Sequence, residues 1–150
     1  MSDSALTLLQ FSLKFFQENK GEILAAERLY FGNDAWVVDN FLTKRDKKFA
    51  LSFFLVDNEF LTAYCVASAK ENTFYIHRFV VLPSFLGKGI GQKMFGLANE
   101  IAFANKFGRI GLKVDKTNQR ALKFYKDRMM QIEGRFGKYL LMEKEVQGIL

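Results

Sequence analysis

Residues 74–91 read FYIHRFVVLPSFLGKGIG, and this stretch decides the fold that the sequence predicts. Its first half, 74–81, is a run of β-branched and aromatic residues that is typical of a buried strand. Pro83 has no amide hydrogen and ends the strand, after which three alternating glycines precede a helical pattern. A glycine loop between a strand and a helix N-terminus directs backbone amides and the positive end of the helix dipole at an anion. The stretch therefore predicts a phosphate-binding site at residues 86–91.

The composition indicates a globular protein. Hydrophobic residues make up 49% of the 150 residues and charged residues 25%, and this length predicts a single domain over residues 1–150. The formal net charge of +6 suits an anionic ligand, although the basic residues are scattered along the chain. The sequence has no cluster of lysines with aromatic residues, so a protein that binds RNA or the ribosome is disfavoured and no specific nucleic acid is expected.

One cysteine and one histidine limit the chemistry further. Cys65 stands alone in an apolar strand pattern, which argues against a disulfide framework, and with His77 as the single histidine a zinc site is not expected. The N-terminal stretch has an early acid and no basic region, unlike a signal peptide. No apolar run reaches the roughly 18 residues of a membrane helix. We therefore expect a cytoplasmic protein without a membrane partner.

Hydrophobic periodicity divides the chain into helices and strands. The helical spacing of the first third is interrupted at 19–21, and the charged run 44–48 is interpreted as a solvated connection. Three closely spaced strands with short polar turns predict an antiparallel meander. The fold class is α/β (α+β), with a mixed, mostly antiparallel sheet of about seven strands flanked by helices in the order β-α-α-β-β-β-α-β-α-β-β. The predicted strands are 5–11, 49–56, 61–69, 74–81, 110–114, 129–135 and 139–146, and the predicted helices are 13–30, 36–42, 92–107 (ended by Gly108) and 119–127.

Two separated motifs resemble those of the GCN5-related N-acetyltransferase (GNAT) family. In VVLPSFLGKGIG a strand ends in Val-x-Pro and a glycine loop opens a helix, as in the acyl-CoA-binding segment of that family. In LKVDKTNQRALKFYKD a strand is followed by Asn118, Ala121 and Tyr125, which is similar to the family's second hallmark. The order of elements also matches along essentially the whole chain. The resemblance implies a GNAT fold and transfer of the acetyl group of acetyl-CoA to a primary amine of a small molecule or peptide by direct attack.

Two other phosphate-binding motifs fit the sequence less well than the family motif. The sequence also departs from the family pattern at two positions. A dinucleotide-binding G-x-G-x-x-G would need a glycine at Gln92, and a P-loop would need Gly-Lys-Ser/Thr at its end. Leu86 occupies a loop position that usually holds Arg or Gln in the family, and Met129-Met130 replaces Gly-Phe after the last helix. Because backbone amides grip the pyrophosphate in such a loop, the first departure is expected to lower affinity without removing the site.

The resemblance also implies which residues bind acetyl-CoA, the expected cosubstrate; no metal is expected. The backbone at the end of the fourth strand would pair with the pantetheine arm, and one of its amides would donate to the thioester oxygen. The loop would hold the pyrophosphate, and Asn118 would bond the pantetheine or the neighbouring backbone. The implied cofactor-binding residues are Phe79, Val80, Val81, Leu86, Gly87, Lys88, Gly89, Ile90, Gly91, Asn118 and Tyr125.

Tyr125 and His77 are the implied catalytic residues. A phenol with a pKa near 10 stays protonated at neutral pH and can donate to the departing thiolate, unless Tyr125 only packs on the sheet beside Phe124. Relatives place a glutamate on the fourth or fifth strand as general base, but the comparable fifth-strand residue here is Lys113. His77, with an ordinary pKa of about 6.5, can deprotonate an ammonium through water or can be structural. Glu59, Asp115 and a water chain without a single base stay open.

The sequence also leaves open whether the protein is catalytically active, which amine it acetylates and whether it forms oligomers. A CoA-binding regulatory module with weakened catalysis is the alternative to an enzyme, because of Leu86 and the missing acidic base. Glu27 and Asp34 would suit a polyamine or an aminoglycoside, whereas aromatic residues would suit an apolar or peptide acceptor. A homodimer is one option for the assembly. The aromatic residues expected to shape the acceptor site are Tyr30, Trp36, Phe41 and Phe136.

Overall fold

The computed structural model describes residues 6–148, which form a seven-stranded sheet with the strand order β1-β2-β3-β4-β5-β7-β6. The predicted fold class and order of elements are confirmed; Ala5, expected to begin the first strand, and the rest of the N-terminal stretch to residue 5 lie outside the described residues. The strands are β1 (Leu6–Gln10), β2 (Phe53–Asp57), β3 (Phe60–Lys70), β4 (Thr73–Val81), β5 (Arg109–Asp115), β6 (Gln131–Phe136) and β7 (Tyr139–Glu145). The helices are α1 (Leu13–Glu18), α2 (Lys20–Phe31), α3 (Val38–Leu42), α4 (Lys48–Leu51), α5 (Ile90–Ala104) and α6 (Gln119–Asp127).

The pairing of β4 with β5 creates the opening in which the site lies. All other neighbouring strands are antiparallel, and β2, β3 and β4 form the expected meander. β4 and β5 are parallel and pair only from Thr73↔Arg109 to Ile76↔Leu112. Beyond these residues the two strands have no ladder, so the second half of β4 presents a strand edge without a strand partner.

Two hydrophobic cores separate the faces of the sheet. The alternation of side chains along β3 places Ala63, Cys65 and Ala67 under α5 and α6, in a core with Met94 and Phe74. The intervening residues face α1, α2 and α3, in a second core that is rich in phenylalanine. Most phenylalanines therefore fill the cores. We call the two faces the α5 side and the α2 side.

The segment between α3 and β2 differs from the sequence prediction. Lys48, the last residue of the predicted solvated connection, has 2% of its surface exposed and begins the short helix α4. Residues 49–51, predicted to begin the second strand, belong to this helix, and β2 begins only at Phe53. Its Nζ donates to the carbonyl oxygens of Asn40 and Thr43, both at 2.8 Å, so the ammonium closes the C-terminal end of α3. The charge pattern alone did not reveal that one lysine of the run has backbone acceptors within reach.

Two helix boundaries are corrected as well. α5 begins at Ile90 rather than 92 and ends at Ala104, with Asn105 as the C-cap instead of Gly108. The side chain of Asn105 donates to the carbonyl of Ile101 at 2.8 Å, which satisfies a helix-terminal acceptor. Within residues 6–148, no helix has the length and apolar character needed to cross a membrane.

Candidate active site

A cleft of about 1140 Å³ opens where β4 and β5 diverge. The glycine loop and α6 line its α5 side, and the end of α2 with the loop to α3 lines its α2 side. Every cofactor-binding residue predicted from the sequence except Lys88 lines this cleft, as do both predicted catalytic residues. Residues nearly 50 positions apart, His77 and Tyr125, are therefore brought to one place.

The open edge of β4 offers backbone amides to a ligand. The amide of Leu82 donates to the carbonyl of Thr62 at 2.8 Å, so the register makes every second residue of β4 bond to β3. By this alternation the amide of Val80 turns towards β3, whereas those of Phe79 and Val81 turn towards the cleft. The carbonyl of Val81 already accepts the Tyr30 hydroxyl at 2.8 Å. Two amides and the carbonyl of Phe79 thus remain on the open edge.

The loop that follows β4 leads into the N-terminus of α5. A 3₁₀ turn at Pro83–Phe85 leads into the loop, and Gly87 and Gly89 have φ angles of 76° and 75°, which residues with a side chain rarely adopt. Gly89 caps α5, whose first turn contains no acidic residue. The first amides of a helix have no intrahelical acceptor, so they and the dipole favour an anion here.

One side chain of this loop, Lys88, carries a positive charge. Leu86 is 39% exposed and lines the cleft, so the position that usually holds Arg or Gln in the family is apolar here. The Nζ of Lys88 lies 5.7 Å from the centre of the Phe85 ring, in a cation–π contact. The anion-binding capacity of the loop therefore comes from its backbone amides together with the Lys88 ammonium.

The second motif places a buried phenol at the inner end of the cleft. Asn118 caps α6, because its Oδ1 accepts the amide of Ala121 at 3.1 Å, and this leaves only its Nδ2 for a ligand. Tyr125 is 8% exposed, and its ring centre lies 5.9 Å from that of Phe79 and 5.3 Å from that of Phe124. Burial raises the pKa of the Tyr125 hydroxyl, which keeps it protonated. The Tyr125 ring packs beside Phe124, as the structural alternative expected, but the residue also lines the cleft.

His77 occupies a β-bulge on the α2 side of the cleft. Val66 pairs with Arg78 and Ala67 with Ile76, so His77 is the extra residue in β4. Its Nε2 lies 2.6 Å from the hydroxyl of Ser68, and its ring contacts those of Tyr75 and Trp36.

The pKa of His77 is lower than the value expected from the sequence. Burial, followed by the positive charges of Arg45, Lys70, Lys48 and Arg78, lowers this pKa to about 3, far below the ordinary 6.5. The imidazole is therefore neutral across the physiological range. An imidazole with such a low pKa is a weak base, even though His77 lines the cleft.

A buried ion pair, which the sequence did not reveal, supports the α2 side. Glu27 is fully buried and accepts bonds from the Nε of Arg78 at 3.0 Å, the Tyr64 hydroxyl at 2.5 Å and the Trp36 amide at 2.8 Å. The Arg78 guanidinium also lies over the rings of Phe31 and Trp36, at 4.1 and 4.7 Å from their centres. The pair fixes the end of α2 and the Trp36 loop against β4. Glu27 is thus not the exposed acid that a polyamine would need.

A second ion pair joins the two sides of the cleft mouth. Asp34, in the loop after α2, pairs with the ammonium of Lys138 in the β6–β7 turn and accepts the Tyr139 hydroxyl at 3.1 Å. The hydrogen bonds from Lys138 and Tyr139 lower the pKa of Asp34. Tyr30 and Trp36 line the cleft as expected, but Phe41 is 1% exposed and packs behind Trp36 in the core.

Of the other candidate bases, Asp115 lines the cleft and Glu59 does not. Asp115 directs Oδ1 to the amide and hydroxyl of Thr117, at 2.9 and 2.8 Å, within its own turn. Glu59 lies in the β2–β3 turn beside a different depression of the surface. Lys113 lines the cleft and places Nζ 4.6 Å from the Phe136 ring centre. Residues 6–148 contain no group of three or more His, Cys, Asp and Glu side chains that could hold a metal ion.

An open strand edge that leads to a helix N-terminus suits a long ligand with amide groups at one end and phosphates at the other. Acyltransferases that use CoA thioesters bind ligands of this class. A model of the acetyltransferase (GNAT) family matches residues 10–129, and the chain belongs to this family and to the acetyltransferase class of enzymes. The family resemblance of the two motifs is thereby confirmed. Comparison with curated protein sequences finds no significant match.

Solved structures with low sequence identity share the fold over nearly the whole chain. The PaiA N-acetyltransferase of Thermoplasma acidophilum in complex with coenzyme A has 16% identity and a TM-score of 0.75, over 97% of this chain and 99% of that one. The Escherichia coli ribosomal-protein-S18-alanine N-acetyltransferase has 12% identity and a TM-score of 0.79, over 96% of each chain. Arabidopsis thaliana Naa50 with the bisubstrate analogue CoA-Ac-MVNAL has 18% identity and a TM-score of 0.71, over 93% of this chain and 98% of that one.

Proposed function

We propose that this protein transfers the acetyl group of acetyl-CoA to a primary amine of a small molecule or peptide by direct attack, and that residues 1–150 act as a single catalytic domain. The observation that carries the proposal is the convergence of the open β4 edge, the glycine loop and Tyr125 in one cleft. CoA complexes among proteins of the same fold, those of PaiA and Naa50, give independent support for the cosubstrate.

The open edge would bind the pantetheine arm and polarise the thioester. The amides of Phe79 and Val81 are the free donors on this edge, and one of them would donate to the thioester oxygen as negative charge develops there. The loop from Leu86 to Gly91 would hold the pyrophosphate through its amides and the start of α5. Asn118 has its Nδ2 available for the pantetheine, since Oδ1 caps α6.

Tyr125 would supply the proton for the leaving group. The amine nitrogen forms a bond to the carbonyl carbon, the carbon–sulfur bond breaks, and the departing sulfur takes the proton from the Tyr125 hydroxyl. Tyr125 lines the cleft, where its hydroxyl would meet the departing sulfur. A raised pKa keeps the proton on the hydroxyl in the ground state, so its transfer to sulfur accompanies the cleavage of the carbon–sulfur bond. The proton that the amine loses then restores the phenol through solvent.

His77 would position the amine rather than hold its proton. With its pKa lowered to about 3, a neutral imidazole can accept a hydrogen bond from the attacking amine or from a water and pass the proton to solvent. Burial and the positive charges that keep His77 neutral also disfavour the ammonium form of a bound amine. Both effects favour the neutral amine, which is the form that attacks.

The proposal is tested by thiol release from acetyl-CoA over a panel of amines, with mass spectrometry of the acetylated products. Tyr125→Phe removes only the hydroxyl, and we expect it to lower kcat about 100-fold, within the usual range for a general acid, while acetyl-CoA binding measured by calorimetry stays within twofold. Tight acetyl-CoA binding without turnover on any amine would contradict the proposed activity. An unchanged kcat for the variant would remove Tyr125 from the mechanism and leave the activity standing.

A further inference from the structure

The basic side chain of Lys113 lines the cleft on its α2 side, and the charges of Lys70 and Arg45 lie behind it. Leu112 and Val114 belong to the core on the α5 side, so Lys113 between them lies on the α2 side, next to the diverging end of β4. Lys70 lies on the same face, with Nζ 3.9 Å from the centre of the Tyr75 ring, and that ring contacts His77 at 4.9 Å. The charge of Arg45 acts on both Tyr75 and His77.

These cations lie close enough to repel one another. Burial, and then the charges of Lys113 and Arg45, lower the pKa of Lys70. Aromatic rings rather than acids hold the two ammonium groups, since Lys70 packs on Tyr75 and Lys113 on Phe136. Such contacts leave the N–H donors of an ammonium group free to bind an anion.

The neighbouring acids do not neutralise this group. Among residues 6–148, no carboxylate forms an ion pair with Arg45, Lys70 or Lys113. Three acids of this side have other partners, which are Arg78 for Glu27, Lys138 for Asp34 and Arg109 for Glu143. Asp46 and Glu71, next in sequence to Arg45 and Lys70, form no ion pair with the described cations. The α2 side of the cleft therefore has an excess of positive charge in the region where an acceptor would bind.

We propose that the acceptor is an amine that carries an anionic group, a carboxylate or a phosphate. Lys113 binds this group, the charges of Lys70 and Arg45 behind it add to the attraction, and the amine points past His77 towards the thioester. This inference rests on the proposed acetyl transfer and adds the chemical class of the acceptor. It disfavours the polyamine acceptor that Glu27 and Asp34 had suggested, because both carboxylates are already paired.

The acceptor class is tested with amines that differ in their second group. Ethanolamine, phosphoethanolamine, β-alanine and putrescine are compared by kcat/KM at fixed ionic strength, because salt screens such contacts. We expect phosphoethanolamine or β-alanine to exceed ethanolamine by about tenfold, the gain of one hydrogen bond to a charged group, and putrescine to be the poorest. The two anionic amines distinguish a phosphate preference from a carboxylate preference.

Variants then link the preference to the cluster. In the double variant Lys70→Gln, Lys113→Gln the ratio of kcat/KM for the anionic amine to that for ethanolamine should fall towards one, and Lys113→Glu should favour putrescine. A ratio compares two substrates of the same protein, so partial loss of folding cancels. Lys14→Glu, on the exposed surface of α1, makes the same change in charge and should leave the ratio unchanged.

Calorimetric titration of phosphoethanolamine and β-alanine into the CoA-saturated protein separates this inference from the proposed function. Equal turnover of all four amines, or preferential turnover of putrescine, overturns the inference and leaves the acetyl transfer intact. Absence of turnover, together with anion binding that is lost in the double variant, overturns the transfer but supports the anion site. Absence of both turnover and binding overturns both.

Discussion

Removal of the Arg78 guanidinium should destabilise the protein strongly, because it leaves a buried carboxylate without its counter-charge. Glu27 is 0% exposed, and the Arg78 Nε lies 3.0 and 3.2 Å from its two oxygens. The side chain of Arg78 is itself 14% exposed, so solvent screens the pair little. In Arg78→Met the side-chain length is kept, but the carboxylate retains only the Trp36 amide and the Tyr64 hydroxyl as donors.

The expected loss is about 3–5 kcal/mol, the usual cost of removing one partner of a buried ion pair. That is a large part of the roughly 5–15 kcal/mol by which a typical domain is stable, and it corresponds to a fall in Tm of about 10 °C for a chain of this size. If the unpaired charge is the cause, Glu27→Gln added to Arg78→Met should restore at least half of the loss, although it removes a second native side chain.

Urea unfolding of the wild type, both single variants and the double variant provides the measurement, as a double-mutant cycle. The matched control is Lys123→Met, which breaks the exposed Lys123–Asp127 pair and should cost less than about 1 kcal/mol. A loss below 1 kcal/mol for Arg78→Met, or a double variant less stable than Arg78→Met alone, would refute the electrostatic explanation.

Three further perturbations address the cofactor and the pH dependence. Leu86→Arg should lower the KM for acetyl-CoA about two- to fivefold, because it adds a partly exposed positive charge beside the pyrophosphate loop. An unchanged KM in steady-state kinetics would indicate that residue 86 lies away from the phosphates. His77→Gln should leave the shape of the kcat/KM profile between pH 5 and 8 unchanged, because the pKa of about 3 lies outside this window, and a lost acidic limb would contradict that value. The unfolded protein binds a proton at His77 near pH 6.5, whereas the folded protein binds it only near pH 3, so the free energy of unfolding should fall as the pH drops below about 6.5. Urea titrations at several pH values measure this dependence, and His77→Gln should make the free energy of unfolding depend less steeply on pH.

The α5 side of the site could be predicted from the sequence because its parts are contiguous. Residues 79–91 contain the strand end, the loop and the helix start, and Pro83 with the alternating glycines indicates each transition. Tyr125 was identified through Asn118 on the same helix, seven positions earlier. Such short-range patterns report backbone conformation directly, so the positions that the family resemblance implied for this side all lie at or next to the cleft.

The α2 side could not be predicted in the same way, because its contacts join distant residues. Glu27 and Arg78 are 51 positions apart, and Asp34 and Lys138 are 104 apart. A glutamate on a helix is usually solvated, and nothing near Glu27 in the sequence indicates an arginine on β4. The low pKa of His77 has the same origin, since it depends on a bulge and on cations from three different segments.

This contrast has a consequence for the activity. The cofactor side depends on backbone amides and glycine conformations, which many side-chain substitutions leave intact. The acceptor side depends on which charges are paired and which are left over, and a single substitution changes that balance. The Asp34–Lys138 pair is the most direct case, because loss of Lys138 would free a carboxylate at the mouth and reduce the positive charge of the cleft. Lys138→Met should therefore raise kcat/KM for putrescine relative to phosphoethanolamine while the KM for acetyl-CoA stays the same, and equal shifts for both amines would show that the pair only closes the mouth.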